Sequence, residues 1–221
     1  MILARTTRGI LRAAALAALL GAAFVQAADT TRLPPPRTEG GRTLTEALQL
    51  RRSTREFSAK PISQQLLSDL LWAAFGVNRP EEGGRTAPSA YNHQEIDIYV
   101  FSTTGVYRYA AKEHALETLA EGDLRALTGT ADFAKAAPVS LVYVADHSKS
   151  VKARAWEVEK HAYVDTGFIG QNVYLFAASE GLGSVFHESV DRGAVAEKLG
   201  LRRDQQVTFA QAIGYPAIAA E

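Results

Sequence analysis

Residues 157–180 carry the longest helical pattern in the chain, and nothing else in the sequence constrains the fold as much. Ala162, Thr166, Ile169, Val173, Phe176 and Ala177 recur at helical spacing on one face, and Gly181 closes the run. A helix of that length with one apolar stripe belongs at the centre of a core. The remaining elements must therefore give it a surface to lie on. Residues 138–145 supply part of one. Their almost unbroken apolar run is the mark of a strand covered on both faces.

The other elements alternate irregularly around these two. Thr43-Leu44-Thr45-Glu46 has capping-box spacing and predicts a helix running to about Arg52. Ser63 opens a second helix, with Leu66, Leu67, Leu70, Leu71, Ala74 and Phe75 on one stripe, and Gly76 ends it. Residues 77–92 hold Pro80, Gly83, Gly84 and Pro88 and read as a long loop, of a size that is usually functional or mobile. Ile96, Ile98 and Val100 alternate along a strand at 95–101, which Thr103-Thr104-Gly105 turns into 106–109 as a hairpin. Residues 111–127 read as helical. Val185-Phe186 is a short strand, Ser189 caps a helix that ends at Leu199 before Gly200, and 207–213 is the last strand. This order predicts an α+β fold: a mixed or antiparallel sheet with helices packed on it, rather than a doubly wound parallel sheet.

The N-terminus reads as a targeting segment. Arg5, Arg8 and Arg12 precede the apolar run 13–25, and Val25-Gln26-Ala27 presents small residues where a signal peptidase cuts. The run falls short of the roughly 20 residues that a comfortable membrane span needs. Arg5-Thr6-Thr7-Arg8 lacks an adjacent arginine pair, which favours export of the unfolded chain. The expected organisation is a signal peptide at 1–27, a linker at 28–42 made stiff by Pro34-Pro35-Pro36, and one domain at 43–221. The expected location is outside the cytoplasm, in the periplasm of a Gram-negative cell, with no stable membrane insertion after cleavage.

Composition then excludes several classes of function. Once 1–27 is removed, 21 basic residues stand against 24 acidic ones, and this mildly acidic body speaks against a nucleic-acid partner. The chain has no cysteine, which fits an oxidising compartment and rules out disulfides, thiolate metal sites and cysteine nucleophiles. The five histidines show no ligand spacing, so no metal site is predicted.

Four short runs could carry chemistry. Arg51-Arg52-Ser53-Thr54-Arg55 gathers guanidinium forks that match a phosphate bidentately, although basic residues also favour a helix C-terminus through the dipole. Residues 87–94, Ala-Pro-Ser-Ala-Tyr-Asn-His-Gln, offer small residues for close approach to a flat ligand and amides that can read a heterocycle edge; a solvated turn is the alternative. Gly181-Leu182-Gly183-Ser184 could press backbone amides on a ligand or simply stop a helix. Gly214-Tyr215-Pro216 is in isolation a turn.

Taken together, the order and spacing of these runs resemble the nitroreductase family of flavoproteins over residues 44–216. Arg51-Arg52-Ser53-x-Arg55, Pro88-Ser89-x-x-Asn92-x-Gln94, Gly181-Leu182-Gly183-Ser184 and Gly214-Tyr215-Pro216 carry the resemblance. Gly105-Val106-Tyr107-Arg108-Tyr109 with Glu113-His114-Ala115-Leu116 is similar to the branch of azoline-oxidising dehydrogenases. The resemblance implies an intertwined homodimer with FMN at its interface. It implies that Arg51, Arg52, Ser53 and Arg55 hold the phosphate, ribityl chain and pyrimidine side of the flavin. Pro88 and Ser89 would line it from the partner subunit, Asn92 and Gln94 would lie at the ring edge, and Gly183 and Ser184 would meet it by backbone contacts. The implied activity takes hydride from a reduced donor such as NAD(P)H and passes it to a nitroaromatic, quinone or similar small acceptor. Little protein acid–base chemistry is implied, because the cofactor carries the electrons; Arg55 is the candidate for stabilising reduced flavin. Family members often place a base just after Gly-Tyr-Pro. Residues 217–221 hold none, which leaves the phosphate to Arg51, Arg52 or Arg85. The alternatives are an exported flavin-binding protein without turnover and an azoline-type flavin dehydrogenase.

Overall fold

The computed structural model describes residues 29–217, so the expected signal peptide at 1–27 lies outside the described residues. The elements are β1 (Thr30–Arg32), α1 (Leu44–Leu50), α2 (Gln64–Phe75), β2 (Val77–Arg79), β3 (Gly84–Arg85), β4 (Ile96–Ser102), β5 (Gly105–Ala110) and β6 (Ala115–Glu121). Then come α3 (Asp132–Ala136), β7 (Val139–Asp146), α4 (Ala155–Ser179), β8 (Gly183–His187), α5 (Arg192–Leu199) and β9 (Gln205–Gly214). Seven strands form one sheet in the order β1-β6-β5-β4-β7-β9-β8, and every neighbouring pair is antiparallel. Of the two sheet types the sequence left open, the antiparallel one holds.

The central strand β7 is buried at every position, because helices cover one face of the sheet and α5 with its flanking turns covers the other. On the first face, Leu70, Leu71 and Ala74 of α2 meet Ala162, Ile169 and Val173 of α4 over Ile98, Leu141 and Tyr143. The long helix therefore lies where its stripe required. Among the described residues no helix is long and apolar enough to cross a membrane.

The structure corrects four local expectations. Residues 111–127 are not helical: they form β6 and a short 3-10 turn, despite good helix formers such as Lys112, Glu113 and Leu116. A sharp turn with His114 at φ +47° sends the chain back along β5, and the Arg108–Glu117 ion pair at 2.6 Å sits across the two strands. Cross-strand pairing outweighs a propensity worth a few tenths of a kcal/mol per residue.

Residues 77–92 are not one open loop, since β2 and β3 pair within it. The cap of α5 is Asp191, whose side chain accepts from the Ala194 amide at 3.0 Å, and not Ser189. The proline segment is extended but does not hang free as a linker. β1 pairs with β6, Leu33 is buried, the Pro34 carbonyl accepts from Ser68 at 2.6 Å, and Arg37 grips the buried carboxylate of Asp69 at 2.7 Å. Prolines suit such an edge because they need no ladder hydrogen bond.

Candidate active site

Residues 51–58 leave α1 as an extended strap laced to the far edge of the sheet. The Thr54 amide donates to the Ser184 carbonyl at 2.8 Å, the Ser58 amide to that of Tyr215 at 2.9 Å, and the Ala217 amide to that of Glu56 at 3.0 Å. Bridges join Ser53 to Ser184 in parallel and Phe57 to Pro216. Gly183 is required here. A Cβ at that position would lie 2.7 Å from the Thr54 side chain, so any larger residue pushes the strap away.

Tyr174 on α4 pins the strap from beneath. Its hydroxyl bonds Ser53 Oγ at 2.9 Å and accepts the Phe186 amide at 2.8 Å, while the Arg51 guanidinium lies over its ring, 5.3 Å from the centroid. A buried knot anchors β8 in turn. Gln211 accepts from the Tyr143 hydroxyl at 2.6 Å and donates to Ser184 Oγ at 2.9 Å and the Gly170 carbonyl at 3.2 Å.

The strap, the C-terminal turns of α4 and the end of β9 enclose a cavity of about 740 Å³, within the range of small-molecule sites. Arg42, Arg52 and Arg55 line it together with Ser53, Tyr174 and Ser184, and Leu50, Leu182, Tyr215 and Pro216 add apolar surface. Among the described residues none of those three arginines has an acidic partner within ion-pair distance. Glu56 lines the cavity as well, so three guanidiniums stand against one carboxylate, and an anionic group would offset the excess positive charge. The residues present thus fit a ligand that has a phosphate at one end and a flat, largely apolar body.

The structure brings Arg52, Ser53, Arg55 and Ser184 to this cavity, with Arg51 stacked on its tyrosine wall and Gly183 packed behind the strap. It places Pro88, Ser89, Asn92 and Gln94 elsewhere. The Ala90 amide donates to Asp165 at 2.8 Å, whereas the cavity begins at Tyr174 on the same helix, about 14 Å further along at 1.5 Å per residue.

Gln94 has no amide group to spare. Its Oε1 accepts from Arg85 at 2.8 Å, and its Nε2 donates to the Gly83 carbonyl at 2.8 Å and to Asn92 Oδ1 at 2.9 Å. It closes its own turn, and the Asn92 amide NH₂ is what remains for a ligand. Arg85 is committed as well, to Gln94, to the Phe75 carbonyl at 3.0 Å and to the Phe75 ring, so it cannot serve the cavity. Tyr91, Asn92 and Gln94 have φ of 53°, 55° and 52°. Left-handed backbone at non-glycine residues costs on the order of 1–2 kcal/mol each, so the rest of the domain must hold this turn.

Sequence reading missed Tyr174 and Arg42. Tyr174 falls in the middle of a helix pattern, where an aromatic normally reads as core. Arg42 sat in the supposed linker. Only the strap's docking on α4 makes either one part of the site.

Comparison with known proteins agrees with the geometry. The nitroreductase family model matches residues 48–215. A protein of Methanocaldococcus jannaschii assigned as a nitroreductase is 32% identical over 152 residues, covering 64% of this chain and 76% of its own length. The NADPH-flavin oxidoreductase of Vibrio harveyi is 25% identical over 179 residues, covering 77% of this chain and 65% of its own. A crystal structure of a protein from Ralstonia eutropha JMP134, also assigned as a nitroreductase, superposes with a TM-score of 0.81 at 41% identity. That match covers 86% of this chain and 90% of the other.

Proposed function

The chain belongs to the nitroreductase family and is a flavin-dependent oxidoreductase, and on that premise we propose that its flavin is FMN, seated in the strap cavity with the phosphate on the cavity arginines. Arg42, Arg52 and Arg55 around one space, without an ion-pair partner among the described residues, carry this reading. Bound FMN would supply two-electron chemistry between a reduced nicotinamide and a nitroaromatic, quinone or similar acceptor. The name of the Vibrio harveyi relative supports the nicotinamide donor.

The chain's own residues bind and orient. Arg52 and Arg42 offer planar forks to a phosphate. Arg55 sets a fixed positive charge on the cavity wall, where it stabilises negative charge that builds up on a bound ring. Tyr174 and Gly183 hold the strap at the right height. Pro88, Ser89 and the Asn92 amide complete the site from a second copy of the chain, which explains why one protomer keeps them far from its own cavity. Leu48 on α1 and Phe168 on α4 are 52% and 45% exposed, and they supply apolar surface for that homodimer. The arginine-led, apolar, small-residue pattern at 1–27 supports export to the periplasm.

Titration of flavin-free protein with FMN and with riboflavin tests the phosphate assignment. FMN binds more tightly by about 2 kcal/mol or more, and Arg52→Ala removes most of that difference. Equal affinity for the two flavins contradicts it.

A further inference from the structure

Towards the other end of α4, Glu95 is 0% exposed, and among the described residues neither of its carboxyl oxygens is met by a hydrogen-bond partner. Its own backbone amide lies close. The side chain beside it is another carboxyl, Asp165 of α4, itself 2% exposed. Asp165 has a task, since its Oδ2 accepts the Ala90 amide at 2.8 Å in the middle of the strained 88–94 turn. Lys149, in the turn after β7, acts on Glu95 from a distance but is already paired with Asp97 of β4 at 2.8 Å. Near Asp165 stands His93, whose Nε2 accepts the Lys152 amide at 3.1 Å, and close to His93 is His161 of α4, whose buried Nδ1 has no hydrogen-bond partner among the described residues.

Two adjoining carboxyls withdrawn from water do not both carry charge, and among the described residues no ion pair reaches either of them. One proton held between them lets Glu95 donate to Asp165 while Asp165 keeps an oxygen for the Ala90 amide. We propose that Glu95 and Asp165 form a shared-proton pair that positions the 88–94 turn, and with it the Pro88-Ser89 wall of the flavin site. The second half of this proposal rests on the function proposed above. Loss of the proton sets two negative charges face to face, weakens the tie at Ala90 and frees a turn whose left-handed residues persist only under restraint. Burial, reinforced by Asp165, holds the Glu95 carboxyl up at about 7. An acid raised in the folded state contributes its full stabilisation below its ordinary value near 4.5 and loses it as pH rises through about 7.

Hydrogen exchange of the 88–94 amides in flavin-free protein, corrected for intrinsic exchange and followed from pH 5.5 to 8.5, tests the pair. Protection at Ala90 falls roughly tenfold through neutrality in the parent, one pH unit of linkage corresponding to a factor of ten. In Glu95→Gln, which mimics the neutral acid, it stays level. Flat protection in the parent, or an unchanged slope in the variant, overturns the pair. Carbon-13 titration of the parent's carboxyl groups needs no variant to fold, and a Glu95 midpoint in the ordinary carboxylate range also overturns it. FMN titrations over the same pH range compare the two proteins, so the titration of the flavin's own phosphate cancels. A fall in affinity in the parent alone supports the link to the site, and parallel curves refute that link. Failure of both proteins to bind FMN at any pH refutes the flavin reading instead, and leaves the exchange result to decide the pair.

Discussion

Tyr174 holds three things at once: the Ser53 hydroxyl, the Phe186 amide and the underside of Arg51. Tyr174→Phe keeps the ring for Arg51 but removes the two bonds and leaves a backbone amide without its partner, a loss of about 1–3 kcal/mol. The expected outcome is FMN binding weakened several-fold with Arg51 still needed; isothermal titration of Tyr174→Phe, alone and with Arg51→Ala, checks it. His187 carries a different test. Burial lowers its pKa to about 4, so the neutral ring is favoured in the folded state. Its stabilisation is complete above its ordinary value of 6.5 and drains away as pH falls towards 4. Allowing for solvent screening of a part-exposed ring, this amounts to about 2 kcal/mol. Melting curves at pH 7 and pH 5 should show a smaller acid loss in His187→Gln than in the parent. Equal losses would remove His187 from the account.

At the scale of elements, periodicity read the two long helices well, but it took 111–127 for a helix and passed over the short α3. α2 and α4 start and stop within a few residues of their predicted ends, because Ser63, Gly76 and Gly181 punctuate them and their apolar stripes are long. β6 was illegible for the opposite reason. Its residues prefer a helix in isolation, and only pairing with β5 on one side and β1 on the other makes them a strand. The arginine strap was legible as a motif, whereas its cavity was not: Tyr174 and Arg42 join it through contacts distant in sequence. Gln94 shows the converse, a motif residue whose side chain the turn itself consumes. The proline segment, read as a tether, is part of the domain. Deleting residues 29–37 uncovers the Leu33 pocket and strips Asp69 of its arginine. A lost buried leucine alone, at about 1.5–3 kcal/mol and 2–4 °C per kcal/mol, predicts a fall in Tm of roughly 3–12 °C. An unchanged Tm would return the segment to the status of a linker.

At the scale of the whole molecule, the proposed site is divided between two copies: the strap cavity at one end of α4 and the 88–94 turn towards the other. The proposed homodimer therefore governs flavin binding as well as mass. Phe168→Glu, on the exposed face of α4, should yield monomers by sedimentation and weaken FMN binding at least tenfold, while the fold survives because Phe168 lies outside the core. A monomeric variant with parental affinity would confine the site to one chain. The visible spectrum of the purified protein after incubation with FMN, followed by anaerobic addition of NADPH and then NADH, decides whether the chain is a working flavoprotein. A yellow protein that retains about one flavin per chain and bleaches with a reduced nicotinamide is expected; a protein that stays colourless rules the flavin site out.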